Sequence, residues 1–352
     1  MAQLTVAQGR CWEYVQYVGR RSTAGTGFSN PVTVAAAPNG VLYIGNRISA
    51  RITKTTYDHD FLGEFGQDGQ GQGQFVWLTA VVVDGDENVY VADEWLNRIT
   101  VFDKEGNLLR TWGEAGGGEG QLNGPAGMVF DADGNLLVVN GSNSRIQRFS
   151  KEGKYISGFG TKGNGPGELD MPWGIALDNN GDVYVADWNN HRVQKFSPAG
   201  EHLLTFGSGE TTGVALDGST PYMHATEARV AVNPNDLNHP TGVAVDGDGD
   251  VYVVDWMNER IVIFDSDTKP ISVLRGDASG ISPWAALSID ANPDMNKARR
   301  RVKNPEVQNY LRMPVSCVFD QATSRLIICD TMRHRLQVYR KDNEYSDPQI
   351  NL

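Results

Sequence analysis

Val183–Phe196 reads VYVADWNNHRVQKF, and the pattern returns as VYVADEWLNRITVF at Val89–Phe102 and VYVVDWMNERIVIF at Val251–Phe264. Each segment is a β-branched run ending in Asp, with an Arg five residues later that opens a second apolar run. Two such runs joined by a short polar corner are a strand signal. The Asp/Asn–Arg pair occurs six times: Asn46/Arg51, Asp93/Arg98, Asn140/Arg145, Asp187/Arg192, Asp255/Arg260 and Asp330/Arg335. The intervals are 47, 47, 47, 68 and 75 residues. Each unit reads as four strands. In the fourth, Gly174–Leu177, Val183–Ala186, Arg192–Phe196 and His202–Phe206 are strands a to d, with glycine-bearing turns between a and b and between c and d. Repeats of about 40–47 residues with four strands each are the signature of β-propeller blades. The predicted fold class is therefore all-β, a six-bladed β-propeller of four-stranded blades.

The segments VYVADWNNHRVQKF, VYVVDWMNERIVIF and HPTGVAVDGDGD resemble the NHL repeat family, and Asn190-His191-Arg192-Val193 stands where the name-giving residues of that family stand. The resemblance spans essentially the whole chain and implies six blades in one domain, residues 1–352. The length alone, near 150 residues per domain, suggests two domains; the repeat count replaces that expectation.

Closure is legible too. Strand d ends in a glycine at Gly66, Gly113, Gly160 and Gly207, each 47 apart, and counting back 47 gives Gly19. Trp12–Val18 is thus a strand d with no a, b or c before it, while the last repeat stops after strand c near Tyr339. The N-terminal strand is expected to complete blade six and so remove two exposed sheet edges.

The net charge is −12, with 43 acidic against 31 basic residues. That argues against nucleic acid or an anionic membrane as partner. No apolar run reaches the ~18–20 residues of a membrane span, and the N-terminus lacks the pattern of a signal peptide. Three cysteines, Cys11, Cys317 and Cys329, make no disulfide framework and point to a reducing cytoplasm. Cys317 and Cys329 read as small core residues.

Function is expected where the repeat is broken. The usual step from a strand-d glycine to the next strand-a proline is 12 residues, but Gly207 to Pro240 takes 33 and Gly276 to Pro314 takes 38. The insertions, about 208–237 and 277–313, occupy the same kind of connection and are expected on one face, shared with the b–c loops. The second reads as partly helical, with Asn292-Pro293 and Asn304-Pro305 as helix starts. Lys297, Arg299, Arg300, Arg301 and Lys303 form a basic cluster there, read as a solvated helix face or an anion site.

Aligned blades place three rings of varying residues at the mouth of the channel. They are Asn30, Trp77, Gly124, Met171, His239 and Met313; then Val32, Thr79, Ala126, Trp173, Thr241 and Val315; then Arg47, Glu94, Gly141, Trp188, Trp256 and Thr331. These rings, with Tyr222 and His224 of the first insertion, predict a tryptophan-lined pocket for a small molecule. Its ligand-binding residues are Trp77, Trp173, Trp188, Trp256, Tyr222 and His224. Its catalytic residues are Arg47 to stabilise an anion and Glu94 or His239 to act as acid or base. Packing between blades is the other reading of these tryptophans. A protein-interaction scaffold using the same face is the alternative function.

In repeat style the chain is also similar to the peptidyl-hydroxyglycine amidating lyases. That resemblance implies a catalytic zinc held by histidines after the strand-a proline, but none of the six residues there is histidine. Asp246-Gly247-Asp248-Gly249-Asp250 opens like a calcium loop but has Met257 where the bidentate Glu belongs. No cofactor is predicted, and neither a zinc nor a calcium ion is supported by a motif. Lyase or hydrolase chemistry remains as the family-level expectation. Deleting residues 1–19 should strongly destabilise the protein, because the last blade then lacks its fourth strand; an unchanged melting temperature in the truncated chain would refute the closure.

Overall fold

The computed structural model of the chain describes residues 4–207, 233–302, 305–343 and 345. Among the described residues six antiparallel sheets are the blades of a six-bladed β-propeller, and three two-stranded parallel ladders lie in the loops that enter blades 2, 3 and 4; the chain divides into two compact units, Met1–Thr111 with Leu274–Leu352 and Trp112–Val273.

The first unit holds three blades. Blade 1 is Pro31–Ala36, Val41–Asn46, Arg51–Thr56 and Phe61–Phe65; blade 2 is Leu78–Val83, Val89–Asp93, Arg98–Phe102 and Leu108–Trp112, whose last residue starts the other unit. Blade 6 joins Cys317–Asp320, Arg325–Asp330 and Arg335–Asp342 to Arg10–Val18. The N-terminal strand thus completes the last blade, pairing antiparallel from Cys11 opposite Asp342 to Val18 opposite Leu336. A fifth strand, Leu4–Ala7, folds back on it as a hairpin that the repeat alignment did not foresee. In the second unit, blade 3 is Pro125–Phe130, Leu136–Asn140, Arg145–Phe149 and Tyr155–Phe159, and blade 4 is Pro172–Leu177, Val183–Asp187, Arg192–Phe196 and His202–Phe206. Blade 5 is Pro240–Val245, Val251–Asp255, Arg260–Phe264 and Pro270–Leu274, whose last residue belongs to the first unit.

Burial follows strand position. The b strands are buried on both faces, as their unbroken apolar runs require, while the d strands of blades 2 and 3 are exposed or half-buried throughout. Each d strand ends in a glycine of positive φ: Gly19, Gly66, Gly113, Gly160, Gly207 and Gly276. A side chain there would also collide with the residue that the following loop buries, Phe28 against Gly19 and Phe75 against Gly66.

The recurring Asp/Asn–Arg pair proves to be a corner lock. Its members face each other across strands b and c in every blade. The Asp or Asn side chain accepts a backbone N–H from the loop entering its own blade: from Ser29 to Asn46, Val76 to Asp93, Asn123 to Asn140, Asp170 to Asp187, Asn238 to Asp255 and Arg312 to Asp330, all at 2.7–2.9 Å. The arginine donates to carbonyls of that loop. Arg192 reaches Asn164, Gly165 and Glu168; Arg260 reaches Asn233 and Asp236. In blades 4, 5 and 6 the arginine Nε also bonds the aspartate, at 2.8, 2.6 and 2.7 Å.

The Asp-rich a–b turns are hairpins. Asp246 Oδ1 accepts the N–H groups of Asp248 and Asp250, as Asp84, Asp131 and Asp178 do in their blades. Of the second insertion, Pro293–Arg300 is a helix capped by Asn292 as expected, while Pro305–Gln308 is only a 3-10 turn. An unforeseen helix, Pro283–Asp290, is capped by Ser282. The three cysteines form no disulfide, and Cys11 and Cys329 are buried in blade 6.

Because Arg260 is fully buried, Asp255→Ala should cost about 3–5 kcal/mol in urea unfolding by leaving that charge without its carboxylate. Asp255→Asn keeps the acceptor for the Asn238 N–H but not the charge, so it should still destabilise and should cost less than the alanine variant by about 1 kcal/mol, the worth of that hydrogen bond; equal losses would show that the acceptor does not matter.

Candidate functional site

In the first unit the b–c corners of blades 1 and 2 bring Arg47, Trp77 and Glu94 together. Arg47 and Glu94 directly follow the corner-lock residues Asn46 and Asp93, and their N–H groups bond the carbonyls of Asn30 and Trp77, at 3.1 and 2.9 Å. The Arg47 guanidinium stacks 4.6 Å from the centre of the Trp77 ring, and its Nε donates to the Leu78 carbonyl at 3.5 Å. Arg47 Nη2 and Glu94 Oε2 are buried yet have no hydrogen-bond partner. Burial lowers the Arg47 pKa, an effect that Glu94 opposes. Burial likewise raises that of Glu94, against the pull of Arg47. Trp77 itself is 45% exposed. The constellation is a cation and a carboxylate, both with spare bonding capacity, beside an open aromatic face.

The second unit gathers a different set. Trp188 begins the 3-10 turn after Asp187 and stands edge-on to His239, with centroids 4.4 Å apart; Trp256 lies 6.3 Å from Trp188. His191 meets His239 at 4.2 Å, and its Nδ1 accepts the His239 backbone N–H at 3.0 Å. His334 does the same for Asn30 in the first unit, at 3.1 Å. Both histidines therefore tie the end of one blade's corner to the start of the next blade. The signal for this was present in the sequence, since the two occupy equivalent repeat positions. His239 is held at φ 53, in the left-handed region, and its pKa is pushed down to about 4 by burial and then by His191.

Trp173 is half-buried and packs on the core of blades 3 and 4, among Ala126, Val139 and Ile175. Tyr222 and His224 lie outside the described residues. Among the described residues, no group of three or more His, Cys, Asp or Glu could hold a metal ion, and no helix is long and apolar enough to cross a membrane. The b–c corners also expose Ile48 and Trp95, 63% and 68% accessible, which the aligned rings did not include.

The histidine contacts carry a pH signature. His239 takes a proton only near pH 4 in the folded chain but near its ordinary 6.5 when unfolded. The unfolded state therefore binds more protons between those values, and the stability carried by the neutral ring is complete above about pH 6.5 and lost as the pH falls toward about 4. His239→Asn, with a residue tolerant of left-handed backbone, should lose less stability than the parent between pH 7 and about 4.5 in thermal melts; parallel losses would refute the assignment.

Comparison with known proteins agrees with this architecture. The NHL repeat model matches residues 122–149, 169–196 and 237–264. No curated protein matches the chain. Among solved structures, a catalytically inactive virginiamycin B lyase from Staphylococcus aureus with quinupristin is 14% identical, covering 92% of this chain and 98% of its own, with a TM-score of 0.55. A gluconolactonase from Xanthomonas campestris is 14% identical over 97% of this chain and 95% of its own, with a TM-score of 0.58. A Bacteroides thetaiotaomicron protein of unknown function reaches 0.62 at 17% identity, over 95% of this chain and 76% of its own. At such identities the likeness is one of fold. The chain is a six-bladed β-propeller carrying NHL repeats, structurally like virginiamycin B lyase and gluconolactonase.

Proposed function

We propose that the chain binds a small molecule at Arg47, Trp77 and Glu94 and acts on it as a lyase or hydrolase. The observation that carries this reading is the pair of buried, unpartnered atoms, Arg47 Nη2 and Glu94 Oε2, beside the open Trp77 ring. An unmet buried polar group costs about 1–3 kcal/mol, and more when charged, so a site that keeps two is suited to a ligand that meets both. Burial raises the Glu94 pKa and so favours its uncharged form, which suits the carboxyl to exchange a proton with a ligand. A guanidinium fixed by stacking can hold the negative charge that develops on an oxygen when a ring is opened or a bond eliminated.

A protein-interaction face is the second reading, favoured by the exposure of Ile48 and Trp95 at the same corners. The two are separated by assay. Gluconolactone and virginiamycin B, taken from the structural neighbours, serve as probes. Turnover of either should fall about 10²–10⁴-fold in Glu94→Gln and at least as far in Arg47→Met, with unchanged melting temperatures. No turnover and no thermal shift with either compound would overturn the small-molecule reading.

A further inference from the structure

The second insertion carries a helix that gives no side chain to the core. Its first helix, Pro283–Asp290, is anchored: Trp284 is 3% exposed and Arg20 donates to the Ser288 hydroxyl. The next one, Pro293–Arg300, is not. Every described side chain from Ala291 to Val302 is exposed, Met295 at 46% and Val302 at 43%. None of these residues belongs to the Arg47–Trp77–Glu94 site.

The sequence nevertheless divides this helix into two faces. Its winding continues past Arg300, since the Arg301 N–H bonds the Ala298 carbonyl at 3.1 Å and the Val302 N–H bonds the Arg299 carbonyl at 3.2 Å. Met295, Ala298 and Val302 are three and four residues apart and share one face. Lys297, Arg300 and Arg301 have the same spacing and share the opposite face, while Arg299, four residues after Met295, flanks the apolar stripe. A surface helix ordinarily buries such a stripe on its own core, and so short a helix draws little stability from its backbone alone. Nothing among the described residues covers the stripe.

The charge indicates what kind of partner does. Between Asp290 and Val302 four bases stand against two acids, in a chain of net charge −12. Lys297 pairs with Asp294 at 3.1 Å, both in solvent. Arg299, Arg300 and Arg301 have no side-chain partner among the described residues. Their planar forks match phosphate oxygens. A nucleic acid would engage the arginines but leave Met295 and Val302 in water, whereas the headgroup boundary of a bilayer accepts both faces of a basic amphipathic helix. The acidic remainder of the chain opposes such a surface only where it comes close, because charges beyond a Debye length of about 8 Å are screened at physiological salt. We propose that this helix docks the protein on an anionic phospholipid surface, with Met295, Ala298 and Val302 in the headgroup boundary and the three arginines among the lipid phosphates.

The test uses the full chain and vesicles of phosphatidylcholine, with and without about 30% phosphatidylglycerol, read by co-sedimentation. The chain should bind the anionic vesicles and lose most of that binding between about 0.05 and 0.5 M salt. Arg299→Gln, Arg300→Gln and Arg301→Gln together should weaken it about 10²-fold. Met295→Gln with Val302→Gln should weaken it about fivefold or more. Both variants should keep the melting temperature of the parent, since none of the changed side chains is buried. No binding to anionic vesicles, equal binding to neutral ones, or undiminished binding by either variant would overturn the assignment. Salt-sensitive dimerisation that the arginine variant abolishes, without vesicle binding, would overturn it in favour of a second copy of the chain.

Discussion

The grip of each arginine on the loop that enters its blade is the interaction on which the rest of the structure depends. The arginine stands in all six repeats, while its cross-strand neighbour is Asp in four and Asn in two. That difference separates two jobs. Accepting the loop N–H needs only a side-chain oxygen, which Asn46 and Asn140 supply. Balancing the guanidinium needs a charge where water is excluded. Arg260 and Arg335 are buried and have Asp255 and Asp330. Arg51, equally buried beside neutral Asn46, is met by Glu64 from strand d instead. Arg145, with its guanidinium partly in solvent, takes loop carbonyls from Gly117 and Gly118 beside Asn140.

This grip also explains why candidate site residues can vary so freely. The residue before the proline that leads into strand a is left-handed at Asn30, Gly124, Met171, His239 and Met313, a conformation that costs a non-glycine residue roughly 1–2 kcal/mol. The loop around it is bonded to the corner, and at Asn30 and His239 a histidine of a neighbouring blade holds the N–H as well. The backbone is thereby determined by contacts that do not involve the varying side chains. Trp77, Arg47, Glu94 and Trp188 hang from this frame and can change without disturbing it. A repeated scaffold with unrepeated side chains at its corners is a suitable base for a site.

Much of this was legible in the sequence because it repeats. The strand boundaries, the d-strand glycines, the corner pair and the completion of blade 6 by Trp12–Val18 all follow from spacing, and spacing needs no knowledge of side-chain direction. Spacing put Arg47, Trp77 and Glu94 among the ring positions at the blade corners, but it grouped Arg47 and Glu94 with His239 and did not single out this trio. What spacing could not show is the state of each group. That Arg47 Nη2 and Glu94 Oε2 lack partners depends on distances between blades, and that Trp173 leans on the Ala126–Ile175 core depends on packing. The hairpin strand Leu4–Ala7 and the helix Pro283–Asp290 occur once each, so no repeat announced them.

The second insertion shows how a break in symmetry can serve the scaffold itself. Long inserted loops raise the expectation of a lid over a site, yet the described start of this one is bonded to the closing strand and to blade 1. Ser282 donates its hydroxyl to the Gly19 carbonyl at 2.7 Å and its N–H to the Tyr17 hydroxyl at 2.8 Å. Arg20 donates to the Ser288 hydroxyl at 2.6 Å. Trp284 is 3% exposed and packs on Phe28 while its indole bonds His59. Blade 6 is the blade built from both ends of the sequence, so its seam carries a far larger loop-closure cost than a hairpin within one repeat. The extra residues supply buried contacts where that cost falls.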